Sequence, residues 1–300
     1  MVVLVTGGSG FIGSHVVDKL VERGHDVRVL DLREPLRGDV EWFRGDLLRE
    51  EDLIEACRDV DFVFHLAAVA DVNVAAERPD RAILVNELGT LNLLRAAVRA
   101  GVERVVLAST IWVYGRATGV VTEDAPIPPP THIYTKTKIG QEHLVQVWGE
   151  VHSLPYTILR YGIPYGPRMR ESMAIAIFVR RAMRGEPITI YGDGNQGRCF
   201  IYVEDLAEGN VAAMQPAAKN EVFNIAGKEF VTINQIVSEL KRIFGEIKVR
   251  HAPPRPGDYR GCVISIEKAR RVLRWEPRVS FAEGLRRYVE YVHRQAPASR

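Results

Sequence analysis

Three hundred residues, 46% of them hydrophobic and 26% charged, are enough to bury a large core and match a soluble globular protein rather than a disordered or fibrous one. A net charge of +2 gives no electrostatic case for nucleic acid, and the clusters Arg180, Arg181, Arg184 and Arg270, Arg271, Arg274 fall at the spacing of solvated helix faces. Three cysteines without C-x-x-C spacing and eight histidines without H-x-x-x-H spacing argue against a disulfide framework and a zinc site, and point to a reduced cytoplasm.

The first strand begins at residue 2, so no signal peptide is expected, and no apolar run approaches the length of a membrane span. Val2 to Val5 are apolar and mostly β-branched, the composition of a buried parallel strand. Gly7, Gly10 and Gly13 then turn the chain into a helix that starts near Phe11 and is closed by Gly24. In this G-x-x-G-x-x-G turn Gly7 permits the tight bend, Gly10 leaves the backbone open to a pyrophosphate, and Gly13 lets helix and strand lie close. Phosphates are expected on the free N–H groups at the helix start, around Phe11 and Ile12. The second strand, Asp26 to Leu30, ends at Asp31, whose carboxylate suits both hydroxyls of an adenosine ribose and repels a 2′-phosphate. NAD is therefore expected over NADP, with Arg33 the residue that would pair with that phosphate in the other case.

Glu41 to Phe43 make a short strand leading to Gly45-Asp46-Leu47, and Glu50 to Cys57 a helix. Asp61 to His65 is an apolar strand, followed by Leu66-Ala67-Ala68, suited to close approach of a cofactor. A long helix is predicted over 81–100 with apolar residues on more than one face, one for the sheet and one for a second subunit, so a homodimer is expected. Val105 to Ala108 form a buried strand ending in Ser109-Thr110. The segment from Val120 to Thr131 holds four prolines and reads as loop, and a further helix begins near Ile133. This alternation predicts an α/β fold with a doubly wound parallel sheet, a Rossmann domain over 1–161 with strand and helix returns near 200–225.

Beyond Tyr161 the elements shorten. A turn over Pro164 to Pro167, helices over Met173 to Arg184 and Glu204 to Met214, strands at Ile188 to Tyr191 and Glu221 to Ile225, and capping boxes at Thr232/Gln235 and Ser280/Glu283 are predicted. Residues 162–300 hold too little sheet for a second nucleotide fold, so they are expected to form mainly a smaller mixed α/β substrate lobe.

Tyr134 and Lys138 lie four apart on a predicted helix and share one face. Thr110 stands at the carboxyl end of a central strand, where open α/β sheets bind ligands. A tyrosine hydroxyl ionises near pH ~10, and lowering that by ~3 units takes ~4 kcal/mol of preferential phenolate stabilisation. A lysine ammonium beside an oxidised nicotinamide is expected to supply it, making Tyr134 the base that takes a hydroxyl proton, with Thr110 bonded to the same oxygen.

The chain resembles the extended short-chain dehydrogenase/reductase family, in its NAD-dependent nucleotide-sugar epimerase/dehydratase branch. The resemblance runs from Val2 to about Tyr291 on TGGSGFIGSH (6–15), GDLLRE (45–50), HLAA (65–68), VNELGT (85–90), VYG (113–115), YTKTK (134–138), IYGDGNQGRCFIYVEDLA (190–207) and RPGD (255–258). It implies that Asp31 holds the ribose, Asp46 and Leu47 the adenine, and Ala67 and Asn86 the middle and nicotinamide end of NAD. Thr110, Tyr134 and Lys138 match the catalytic triad. Arg198 and Arg255 match arginines that clamp a sugar nucleotide's diphosphate, and Asp258 a nucleoside-ribose contact.

Departures from the family pattern bear on the substrate. The 4,6-dehydratase branch carries Thr-Asp-Glu before VYG and the decarboxylating branch a glutamate, where this chain has Thr110-Ile111-Trp112. Without that acid, elimination of water lacks its proton shuttle, so 4-epimerisation of a UDP-sugar is the best fit, on UDP-glucose/galactose or on the uronic acids, which Arg168 and Arg170 would face. A nucleotide-sugar keto-reductase or dehydrogenase is the alternative, and a non-catalytic dinucleotide-binding regulator the third reading. Ile163 replaces an asparagine common near the diphosphate and Cys199 an aspartate common after Arg198, which leaves the sugar open.

Overall fold

The computed structural model describes residues 1–254 and 259–295. In chain order it forms β1 (Val2–Thr6), α1 (Phe11–Glu22), β2 (Asp26–Asp31), β3 (Glu41–Arg44), α2 (Glu50–Ala56), β4 (Phe62–His65), α3 (Val72–Glu77), α4 (Pro79–Ile83), α5 (Gly89–Ala100), β5 (Arg104–Thr110), β6 (Val120–Val121), α6 (Ile133–His152) and β7 (Tyr156–Tyr161). There follow β8 (Ile163–Tyr165), α7 (Ala174–Met183), β9 (Ile188–Tyr191), β10 (Gly197–Tyr202), α8 (Val203–Ala212), β11 (Glu221–Ile225), β12 (Phe230–Thr232), α9 (Ile233–Phe244), β13 (Val249–Ala252), β14 (Val263–Ile264) and α10 (Phe281–Gln295).

Seven strands share one sheet in the order β11-β7-β5-β4-β1-β2-β3, every pair parallel. Parallel strands need crossover helices on both faces, which is why these strands read as continuous apolar runs. Alternate residues of β1 face opposite ways: Val3 and Val5 pack with Val16, Val17 and Leu20 of α1, while Leu4 packs with Leu53 of α2 and Leu93 of α5. The strand order reverses between β1 and β4, opening a crevice at their carboxyl ends. A third core, built on Ile175 and Val179 of α7, Ile236 and Leu240 of α9, and Leu285 of α10, lies beside a sheet of β12, β10 and β8.

Several elements differ from the sequence reading. The helix predicted over 81–100 is α4 and α5 joined by a π turn, Leu84–Leu88, because the amide of Asn86 is drawn inward to bond both backbone groups of Val69. Of the turn expected over Pro164 to Pro167 only the second half forms, from Gly166: Pro164 and Tyr165 belong to β8, an edge strand paired with β10, and an edge position tolerates a proline without an N–H. Val120–Val121, read as loop, pairs with Val263–Ile264 as β6 and β14. The capping box at Thr232 and Gln235 forms with both bonds.

Candidate active site

The crevice between β1 and β4 is bounded by glycine. Gly7 adopts φ +73°, and a Cβ there would lie 2.7 Å from the backbone nitrogen of Ala67 on the opposite wall. At Gly13 a Cβ would come within 2.1 Å of the Gly7 carbonyl, so the turn closes only with glycine at both ends. Gly10 is the N-cap of α1: no side-chain oxygen caps that helix and no acid stands in its first turn, so the N–H groups at Phe11 and Ile12 remain available to an anion. These features fit a dinucleotide's diphosphate. The side chains of Phe11 and Ile12 point away into two different cores.

Asp31 ends β2 half-buried beside this turn, its carboxylate accepting the N–H groups of Ser9 and Arg33 at 3.1 Å each. Asp46 accepts the Leu48 N–H at 3.1 Å, while the Leu47 side chain is buried and its carbonyl accepts the Asn92 amide. Leu66, Ala67 and Ala68 follow β4 along the rim, with the Leu66 and Ala67 N–H groups donating to the Thr6 carbonyl and hydroxyl. Asn86 is fully buried and pins Val69 to Thr137 of α6, so it shapes the crevice wall from behind.

Across the crevice β5 and α6 bring Thr110, Tyr134 and Lys138 together. The Thr110 oxygen accepts the Trp112 N–H at 3.2 Å, and the Thr110 side chain lies beside the Tyr134 phenol, where it favours the ionised form. Burial pushes that phenol up to about 12, against the lowering effects of Thr110 and of the Arg170 guanidinium. The chain alone therefore does not produce the depressed phenol anticipated from the sequence. Lys138 turns its ammonium to the Ala108 carbonyl at 2.8 Å, and burial lowers it to about 8. His132, a residue the sequence reading passed over, caps α6 by accepting the Thr135 N–H and stacks on Tyr134 with ring centroids 6.5 Å apart. Its only sequence signal was its place one residue before a helix.

Arg168 and Arg170 diverge. Arg168 is tied to Asp18 of α1 at 2.7 Å, whereas Arg170, 3.3 Å from Asp71, is the one whose charge reaches Tyr134.

Beyond Trp112 a cavity of about 500 Å³ opens between β8, β9, β10 and α7, walled by Ile163, Met173, Phe178, Tyr191, Arg198 and Phe200. The triad lies outside its lining, with Trp112 the shared wall. The Arg198 guanidinium lies 5.5 Å from the ring centre of Trp112 and 4.4 Å from that of Tyr259, and donates to the Gly197 and Tyr259 carbonyls. Cys199 faces away from it, buried, accepting the Ile264 N–H. Arg255 and Asp258 lie outside the described residues. Among the described residues no group of three or more His, Cys, Asp or Glu could hold a metal, and no helix is long and apolar enough to cross a membrane.

Residues 3–226 match the model of the NAD dependent epimerase/dehydratase family. A UDP-glucose 4-epimerase from Thermotoga maritima, solved with UDP-glucose, superposes with a TM-score of 0.93 at 37% identity, covering 99% of this chain and 100% of that one. A UDP-glucuronic acid 4-epimerase from Bacillus cereus, solved with UDP-glucuronic acid and NAD, gives 0.91 at 33% identity over 98% and 100%. A UDP-N-acetyl-alpha-D-glucosaminuronate decarboxylase from Bacillus cytotoxicus is 31% identical over 96% of each chain.

Proposed function

Because the chain belongs to the NAD dependent epimerase/dehydratase family, we propose that it interconverts the C4 epimers of a UDP-sugar. Bound NAD supplies the acceptor, and once reduced the donor, for the hydrogen on C4. The glycine turn and the start of α1 would hold its diphosphate, Asp31 its adenosine ribose, and the rim at Leu66 to Ala68 its middle. We assign residues 1–161, with the return through β11, to the cofactor and most of 162–300 to the nucleotide sugar.

Tyr134 takes the proton of the C4 hydroxyl, Thr110 donates to the same oxygen, and Lys138 keeps a positive charge behind them. Arg198 grips the diphosphate from across Trp112 and leaves the sugar free to turn over between the two steps. What carries this reading is Thr110 at the carboxyl end of β5 beside the Tyr134 phenol, with Lys138, one turn further along α6, turned to the Ala108 carbonyl of the same strand. Ile111 and Trp112 put no carboxylate after Thr110, which favours epimerisation over loss of water or of carbon dioxide. Net consumption of NADH with a 4-keto sugar would instead select a reductase.

The uronic acid pair is favoured by Arg170, the guanidinium whose charge is felt at the Tyr134 phenol. Incubation with UDP-galactose and with UDP-glucuronate, without added NAD, should yield the C4 epimer of at least one by NMR; no turnover of either would refute the reading. On the uronate branch, Arg170→Leu raises KM for UDP-glucuronate about 10- to 100-fold more than for UDP-galactose, the loss of one charge-assisted hydrogen bond. Equal effects on both would remove the carboxylate role.

We also assign the apolar face formed by the exposed Ile83, Leu84, Leu88 and Val147, with half-buried Leu144 between them, to a second copy of the chain. Leu88→Glu should then sediment as a monomer where the parent sediments as a dimer, and a monomeric parent at micromolar concentration would contradict the assignment. Three free cysteines suit a reducing compartment, and we place the enzyme in the cytoplasm.

A further inference from the structure

Beneath the triad lies an ion pair that the mechanism does not use. Glu142 of α6 and Arg160 of β7 are 2% and 5% exposed. Arg160 grips the carboxylate with a two-pronged fork, Nε to Oε1 at 3.1 Å and Nη2 to Oε2 at 2.7 Å. The Ser109 hydroxyl donates to Oε1 as well. The remaining Arg160 nitrogen, Nη1, donates to the Tyr114 hydroxyl and the Glu123 carbonyl, and the Tyr114 hydroxyl in turn donates to Asn224. Every polar atom of the pair is thus engaged.

Burying two charges costs several kcal/mol each before their attraction is counted, and well-packed apolar residues of similar size often replace such a pair without loss of stability. The pair therefore calls for a role besides holding the fold. Its position supplies one. Three consecutive residues at the end of β5 each meet a side chain of α6, and the three helix residues follow one another by a turn: Thr110 meets Tyr134, the Ala108 carbonyl meets Lys138, and Ser109 meets Glu142. Lys138 and Glu142 stand four apart on one face.

We infer that Glu142, fixed by Arg160 and Ser109 one turn beyond Lys138 on the same face of α6, is a positioning residue for Lys138, holding its side chain at the end of β5. This rests on the reading that a charged Lys138 serves Tyr134. Burial lowers the ammonium to about 8, and the Glu142 carboxylate is the charge that opposes the fall. The other groups facing this spot hold one charge state through the neutral range. His65 of β4 is kept neutral by burial and by Lys138, at about 3. The phenols of Tyr134, Tyr114 and Tyr161 are pushed up by burial, and Arg160 is held charged by Glu142. Arg170 acts on Tyr134 from the loop after β8, and Lys136 and Glu87 pair at 2.6 Å on the outer side of α6. His132, against the Tyr134 ring, is lowered by burial, so among these groups it is Lys138 that burial brings to about 8.

Removing the carboxylate lowers the Lys138 titration, so turnover declines at lower pH on the alkaline side. For Glu142→Gln the alkaline limb of kcat should move down by about one pH unit, a tenfold loss on that limb, with turnover near pH ~6.5 within about threefold of the parent. In the NAD-free protein, the Lys138 side-chain amine followed by 15N NMR should move the same way by a similar amount. Since Glu142→Gln alone strands a buried guanidinium, the double variant Glu142→Gln/Arg160→Met, which buries no charge, is the second test and should shift in the same direction. An unmoved Lys138 titration in either folded variant overturns the inference. A parent that turns over no nucleotide sugar overturns the functional reading instead, and the NMR titration still decides the place of Glu142.

Discussion

Tyr134→Phe is expected to lower turnover by about 10²- to 10⁴-fold, the range a positioned proton-transfer group contributes. Phenylalanine keeps the ring that stacks on His132 and removes only the hydroxyl that stands beside Thr110. The fold should lose no more than about 1 kcal/mol, the net worth of one hydrogen bond. NAD affinity, which we assign to the glycine turn, should stay within about threefold of the parent. Since the phenol stands at about 12 in the protein alone, the parent's activity requires added positive charge near the oxygen. Turnover of the variant within about threefold of the parent would move the base elsewhere and undo the catalytic assignment.

Gly13→Ala carries the second large effect. The new methyl would meet the Gly7 carbonyl oxygen at 2.1 Å, its carbon at 2.8 Å and the Gly8 Cα at 2.9 Å, all of them backbone. No rotamer relieves such contacts, so the turn must open, at about 1–3 kcal/mol or more of overpacking. NAD affinity should fall about 10- to 100-fold if only that energy is lost from binding. Gly24→Ala is the control: Gly24 also has positive φ, but nothing lies within 4 Å of its Cβ position. It should cost about 1–2 kcal/mol for the left-handed backbone and leave NAD affinity unchanged. Equal NAD affinity in both variants would show that the first turn does not cradle the cofactor.

The strands β1, β4 and β5 of the large sheet were legible because both faces of a parallel sheet are buried, so they appear as apolar runs whatever their partners. Glycines 7, 10 and 13 stood out for the same local reason. What escaped notice depends on residues far away in sequence. β6 has two residues and exists only because Val263–Ile264 lies beside it. β8 holds a proline that argues against a strand until its edge position is known. The π turn leaves no mark on apolar spacing, since its cause is an asparagine amide reaching back to Val69. At the site, Tyr134 and Lys138 shared a face as helical spacing requires. Helical spacing alone could not show that Lys138 points at a strand carbonyl or that Arg168 is drawn off to α1.

The strand order has a consequence for how the protein is made. The chain leaves the large sheet at Tyr161 and returns only at β11, which lies against β7 as the outermost strand. A ribosome emitting the polypeptide amino end first releases β7 about sixty residues before its neighbour exists, by the count from 161 to 221. During that interval a row of unpaired N–H and C=O groups flanked by Ile158 and Leu159 stands open to any passing extended segment. Fragments cut near residue 161 keep that open flank permanently, so expression of residues 1–161 by themselves should favour aggregates, and cuts placed after Ala226 should favour soluble material.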